Sequence, residues 1–183
     1  MNKVTAIVMD RTAIERTLSR IAHEILEQNR GTEGLVFVGI RTGGAHLAHR
    51  LARKVFEIEK KEIPVGILDI TLYRDDIMKR KKHHVLRKTD ISFSVTDKKI
   101  ILVDDVLFTG RTIRAALDGL MDLGRPKEIQ LAVLVDRGHK ELPIRADYVG
   151  KNIPTSLRED VKVMLEEEGH EDSVIILEGI NEA

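Results

Sequence analysis

The stretch that most limits what this chain can become is Ile100 to Thr112, IILVDDVLFTGRT. Ile100, Ile101, Leu102 and Val103 form a short unbroken apolar run, the pattern of a strand covered on both faces in a parallel sheet. Two carboxylates, Asp104 and Asp105, follow where that strand is expected to end. Ligands of open α/β sheets bind outside the carboxyl ends of strands, so the pair stands where chemistry is usually placed. Val106, Leu107 and Phe108 then lead into Thr109, Gly110, Arg111 and Thr112. Hydroxyls, glycine backbone N–H groups and a helix start suit a phosphate. Two acids after a strand are equally compatible with a helix cap or a solvated turn. The uninterrupted order of strand, acids and Thr-Gly-x-Thr favours a ligand. Carboxylates do not bind phosphate, so acids beside a phosphate loop ask for a molecule with both hydroxyls and phosphate. A ribose 5-phosphate is such a molecule.

A second strand-loop-helix unit precedes this one. Leu35 to Ile40 is a strand, Arg41, Thr42, Gly43 and Gly44 form a tight loop, and Leu47, Leu51 and Val55 mark one face of the helix after it. Paired glycines let backbone approach a ligand, while Arg41 adds charge and Thr42 a hydroxyl. An ordinary strand-to-helix turn explains the loop as well.

The remaining elements fit an α/β, doubly wound, mainly parallel sheet in one domain spanning 1–183. Lys3 to Met9 is a short strand, and Asp10 and Thr12 offer caps for a helix carrying Ile14, Leu18, Ile21 and Ile25 inward. Val65 to Tyr73 reads as a strand that opens into a polar, Lys- and Arg-dense loop at about 74–90, containing Arg74 and Arg80. A long irregular loop in a compact domain is an active-site cover or a floppy surface segment. Thr112 to Leu123 is a helix, and Ile129 to Val135 a buried strand that ends in Asp136 and Arg137. Val161, Val163 and Leu165 alternate like a half-buried strand that Ser173 to Leu177 can pair with, giving a small antiparallel cap.

Lysines plus arginines equal aspartates plus glutamates at 30 each, so any nucleic-acid binding must use a local patch rather than a global field. With no cysteine, disulfides, thiol catalysis and thiolate metal sites are excluded. There is no apolar signal core, and no apolar run approaches the ~20 residues of a membrane helix, so a cytoplasmic protein with no membrane partner is expected.

VDDVLFTGRT resembles the phosphoribosyl pyrophosphate (PRPP) signature of type I phosphoribosyltransferases. The resemblance implies that Asp104 and Asp105 hold the ribose hydroxyls and that the loop from Val106 through Thr112 wraps the 5-phosphate. It implies Mg2+ held mainly through PRPP and water, with no direct protein metal site. In the resembling enzymes the position of Arg41 to Gly44 is the pyrophosphate loop, often with a non-proline cis peptide, and the segment at about 74–90 is a mobile lid whose Arg74 and Arg80 neutralise pyrophosphate.

RIAHEI at Arg20 to Ile25, DITLYRDD at Asp69 to Asp76 and LAVLVDRGHKELPIRADYVGKNIPTS at Leu131 to Ser156 extend the likeness to nearly the whole chain. Together they resemble the PyrR family of pyrimidine operon attenuators with uracil phosphoribosyltransferase activity. That resemblance implies synthesis of UMP and pyrophosphate from uracil and PRPP, UMP-dependent binding of pyrimidine operon mRNA, and a homodimer or higher homo-oligomer. It gives Asp104, Asp105 and Arg41 the catalytic work. The base is expected against Asp136, Arg137, Tyr148 and Val149, and RNA at Ser19, His23, Lys140 and Arg145. Some positions depart from the family pattern. Gly43 stands where an arginine is usual, preceded by Arg41 where a lysine is usual, so the loop has one cation fewer; if the protein is a regulator with negligible catalysis, restoring arginine at 43 is expected to raise turnover sharply. Lys140 also replaces an arginine, giving up planar bidentate contacts. Two other readings share these motifs: a nucleotide-sensing regulator with negligible catalysis, and a salvage enzyme for another base with no RNA role.

Overall fold

The apolar runs become strands because every second side chain is needed on each of two faces. The computed structural model describes residues 3–74 and 89–178. Its larger sheet contains β2 (Leu35–Ile40), β3 (Val65–Leu68), β4 (Lys99–Leu107), β5 (Glu128–Asp136) and β6 (Tyr148–Asn152), all parallel, in the order β3-β2-β4-β5-β6. Leu35, Phe37, Ile101, Val103 and Leu134 enter one core with helices α1 (Arg11–Asn29) and α2 (Gly43–Glu59). Val36, Val38, Ile100, Leu102 and Val133 enter the other with α3 (Arg111–Leu123). Burial on both faces is what the unbroken apolar runs encode.

The strand order places the chemistry. From β2 the chain moves outward through α2 to β3, and from β4 it moves the opposite way through α3 to β5. Right-handed crossovers then put α2 and α3 on opposite faces, leaving a crevice between the carboxyl ends of β2 and β4. A smaller antiparallel sheet, β1 (Lys3–Met9), β8 (Ser173–Glu178) and β7 (Glu159–Met164), pairs in the order β1-β8-β7 and sits over that end. The cap expected from the last part of the chain is there, and β1 joins it from the opposite terminus.

Three boundaries differ from the sequence reading. Asp10 alone caps α1, accepting the Ala13 N–H at 2.7 Å. The strand expected to reach Tyr73 stops at Leu68, because Asp69 Oδ1 accepts from both the N–H and the hydroxyl of Thr71 and folds the chain into a short 3-10 turn. Tyr148–Asn152 is a strand that its glycine, lysine and asparagine do not announce. Arg80, with most of the expected lid, lies outside the described residues. No described helix is long and apolar enough to cross a membrane.

Candidate active site

Glycine brings the first loop onto the sheet. A Cβ at Gly44 would collide with the Val103 carbonyl oxygen, and one at Gly39 would stand 2.5 Å from Ala45 Cα, so α2 starts in direct contact with β2 and β4. The loop itself contains a cis peptide between Arg41 and Thr42, as the family resemblance implied. The Arg41 N–H donates to the Leu68 carbonyl at 3.0 Å, fixing the loop to β3. At Gly43 a Cβ would fall 2.5 Å from Asp105 Oδ2. The loop and the acid pair therefore occupy one another's space.

On β4, Asp104 and Asp105 lie within the last turn of the strand rather than beyond it. Asp104 is 6% exposed, and its Oδ1 accepts the Asp105 N–H at 3.0 Å. Burial, reinforced by the neighbouring Asp105 charge, pushes its carboxyl well above the usual carboxylate range. Asp105 is half-buried and uses Oδ1 to accept the Val106 N–H at 2.8 Å. Its Oδ2 is the oxygen turned toward Gly43.

Two cavities meet at this pair. One, of about 550 Å3, is bounded by Arg41, Thr42 and Gly43 on one side and by Val161, Lys162 and Val163 of β7 on another. The second, of about 260 Å3, is formed by the segment from Val106 through Ile113. Arg74, Asp104, Val106 and Thr112 line both, so the two are one continuous trough. Gly110 adopts a positive φ of 92° just before α3, which turns the loop into the helix start. Leu107, Phe108, Thr109, Gly110, Arg111 and Thr112 thus curl around the smaller cavity at a helix N-terminus.

The residues expected beside the base lie away from the trough. Tyr148 and Val149 pair with Ala132 and Val133, several residues below the carboxyl edge of the sheet, and neither lines the trough. Tyr148 is 2% exposed; its hydroxyl donates to Gln130 at 2.7 Å and accepts from Asn29 at 3.3 Å, and burial pushes it up to about 12. Asp136 and Arg137 do not line the trough either. Asp136 holds Lys140 at 2.6 Å. Arg137 is 4% exposed, bonded to Asp160 at 2.9 Å and to the Glu159 carbonyl, with its guanidinium 4.1 Å above the Phe108 ring. Gly44 supports the first loop from beneath.

In place of those residues the trough is walled by Asp69, Thr71, Glu168 and the β7 segment. Asp69 lies in a motif already singled out for its resemblance. The β7 residues alternate visibly, but nothing local says that an outer strand of the small sheet will face the crevice.

The four RNA candidates do not share one face. Ser19 and His23 are a turn apart on α1, tied by a bond from His23 Nδ1 to the Ser19 carbonyl at 2.8 Å, and α1 packs on β5 and β6 from one side. Lys140 and Arg145 are exposed on the segment between β5 and β6, whose Ile144 and Ala146 pack into the α3-side core. The set brackets the outer strand β6 from both faces of the sheet.

A phosphoribosyl transferase domain model matches residues 5–171. The bifunctional protein PyrR of Pelotomaculum thermopropionicum is 60% identical over 178 residues, covering 97% of this chain and 98% of that protein. The bifunctional protein PyrR of Thermus aquaticus is 61% identical over 173 residues, covering 94% and 96%. Among solved structures, a Trypanosoma cruzi hypoxanthine phosphoribosyltransferase superposes with a TM-score of 0.73 at 18% identity over 97% of this chain and 98% of that one. A hypoxanthine-guanine phosphoribosyltransferase from Bacillus anthracis does so at 0.65 with 21% identity, over 83% and 86%. At those identities the structures establish the fold, and the sequence relatives establish the lineage. The chain belongs to the PyrR family, built on the type I phosphoribosyltransferase fold.

Proposed function

We propose that this chain joins uracil to PRPP, releasing pyrophosphate and UMP, and that its UMP-bound form binds pyrimidine operon mRNA as a transcription attenuator in the cytoplasm. The observation that carries the reading is the continuous trough, which offers three unlike chemistries in the order a phosphoribosyl donor and a base require. The 5-phosphate takes the loop of 107–112, whose N–H groups and hydroxyls open at the start of α3. Ribose hydroxyls take Asp104 and Asp105. Pyrophosphate takes Arg41, Thr42 and Gly43, with Arg74 beside it. Uracil takes the β7 side, where an outer strand leaves backbone donors and acceptors free to read a small planar edge.

Displacement at the anomeric carbon forms the bond to uracil N1, whose proton leaves to solvent or the departing pyrophosphate, as the bond to pyrophosphate oxygen breaks, and positive charge builds on the ribose. Carboxylate at Asp105 stabilises that charge, and Arg41 stabilises the departing oxygens. The trough supplies hard oxygen donors of the kind Mg2+ prefers, but among the described residues no three acidic or imidazole groups converge on one point. Asp104 and Asp105 would be the protein neighbours of an ion carried in with PRPP and water. When bound, Mg2+ neutralises charge on the leaving group.

For RNA, Ser19, His23, Lys140 and Arg145 supply a hydroxyl, an imidazole and two cations for phosphates, 2-hydroxyls and unstacked bases. Assembly as a homo-oligomer would repeat this patch. The test is product formation with uracil, hypoxanthine and orotate in parallel, each with PRPP and Mg2+. Uracil is expected to be turned over preferentially, and Asp104→Asn with Asp105→Asn to remove at least about 100-fold of the rate. Equal turnover of all three bases, or an active double variant, overturns the assignment.

A further inference from the structure

The loop assigned to the nucleotide's 5-phosphate and the segment that carries two of the RNA cations are a single hydrogen-bonded unit. The Leu107 carbonyl accepts the Arg137 N–H at 3.1 Å, and the Thr109 carbonyl accepts the Glu141 N–H at 2.9 Å. Arg111 Nε donates to Glu141 Oε2 at 2.8 Å. Phe108 lies under the Arg137 guanidinium at 4.1 Å and meets the His139 ring edge-on at 6.1 Å. Gly138 and His139 both take positive φ, 79° and 60°, which folds the chain back so that Lys140 reaches Asp136 at 2.6 Å.

We propose that Glu141 is a positioning residue that couples nucleotide occupancy to RNA binding, by seating the segment of 137–145 on the phosphate loop. The inference rests on the reading of the trough given above. A trans peptide is planar, with its C=O and N–H pointing in opposite directions. The Thr109–Gly110 peptide turns its C=O toward Glu141, so the N–H of Gly110, which lines the smaller cavity, points the other way and is offered to a phosphate there. The Leu107–Phe108 peptide is arranged the same way toward Arg137. A phosphate accepting those N–H groups orients the same planes whose carbonyls hold 137 and 141, and polarises them as acceptors. Ordering the loop therefore orders Lys140 and Arg145, and RNA binding to the ordered segment costs less conformational entropy. By linkage, RNA must tighten UMP by the same factor that UMP tightens RNA.

The experiment closes that cycle with the full chain, UMP and a pyrimidine operon leader transcript at one fixed salt concentration. Glu141→Pro removes the N–H and the carboxylate together. It is expected to lower the coupling factor, the ratio of UMP affinity with RNA to that without, at least about fivefold, whatever it does to UMP affinity alone. Glu141→Gln keeps the N–H and is expected to lie between them. A readout that needs no substitution is amide hydrogen exchange: UMP should slow Arg137 and Glu141 but not Leu131, which is held by Asp147 at 2.7 Å. Wild-type coupling in a folded Glu141→Pro protein, or exchange at 137 and 141 indifferent to UMP, overturns the proposal. If UMP has no effect on RNA affinity in the wild type, the functional reading itself falls, which is a different result.

Discussion

Arg50→Met is expected to be among the most destabilising single changes in the chain, and its cost should depend on pH. Arg50 is 3% exposed on α2 and spends four hydrogen bonds on the turn before β8: Nε and Nη2 to Glu167 at 2.8 and 2.6 Å, Nη1 and Nη2 to Asp172 at 2.5 and 2.9 Å. Asp172 is itself 4% exposed and has no second cation in contact among the described residues. Methionine fills much of the volume but leaves that carboxylate without its cation, with the Glu166 N–H at 2.8 Å still donating to it. Removing one partner of a buried pair costs about 3–5 kcal/mol. For a chain of this length each kcal/mol is worth roughly 2–4 °C in Tm, so a loss of roughly 6–20 °C follows. Arg50 also holds Glu167 and Asp172 below the usual carboxylate range. Groups with depressed folded-state values contribute stability above their unfolded values near 4, and lose it as pH falls through the lower folded ones. The difference between wild type and variant should therefore be full at pH 7 and shrink from about pH 4 downward. Thermal unfolding followed by circular dichroism across that range reads it. A deficit under about 1 kcal/mol at neutral pH, or one that does not change with pH, would refute the argument.

Further outcomes follow from the acid pair. Gly43→Ala places a methyl 2.5 Å from Asp105 Oδ2 and forces that carboxylate aside, so kcat is expected to fall about tenfold with the PRPP KM little changed. Gly43→Arg adds the missing cation but inherits the same displacement, so steady-state kinetics should show a lower PRPP KM than Gly43→Ala without a gain in kcat over wild type. A sharp rise in turnover would instead be the outcome expected of a regulator whose catalysis is negligible for want of that cation. Asp104→Asn should stabilise the unliganded protein. A carboxyl whose folded-state value is raised contributes least once pH exceeds that value, so the Tm gain should be larger at pH 8 than at pH 4, and worth about 1–3 kcal/mol. A gain independent of pH would count against burial as the cause.

What the sequence made legible was whatever is encoded within a few residues. The strand at Ile100–Val103, the loop through Thr112 and the glycine loop at 41–44 all emerge at the crevice, because periodicity, turn chemistry and helix starts are local properties. Register is not local. Tyr148 and Val149 follow a strand end in sequence, yet parallel pairing sets them opposite Ala132 and Val133, inside the sheet rather than at its edge. Gly150 next to them serves packing: a Cβ there would collide with the Leu134 carbonyl and stand 2.7 Å from Thr17. The wall that replaces them comes from β7, held by pairing with β8, which in turn pairs with a strand at the other end of the chain. Arg137 shows the same limit, since a charged residue at a strand end looks like a ligand contact until Asp160 and Phe108 are seen to enclose it.

The outer margin of β6 has a consequence for how copies of this protein can associate. Arg20 lies along it, donating to the carbonyls of Val149 and Gly150 at 3.2 and 2.6 Å. A guanidinium stationed there denies an incoming strand its acceptors and sets a cation in its way. A strand adding to this edge would first have to displace Arg20 from those carbonyls. This flank of the sheet therefore presents a cationic side chain rather than bare backbone.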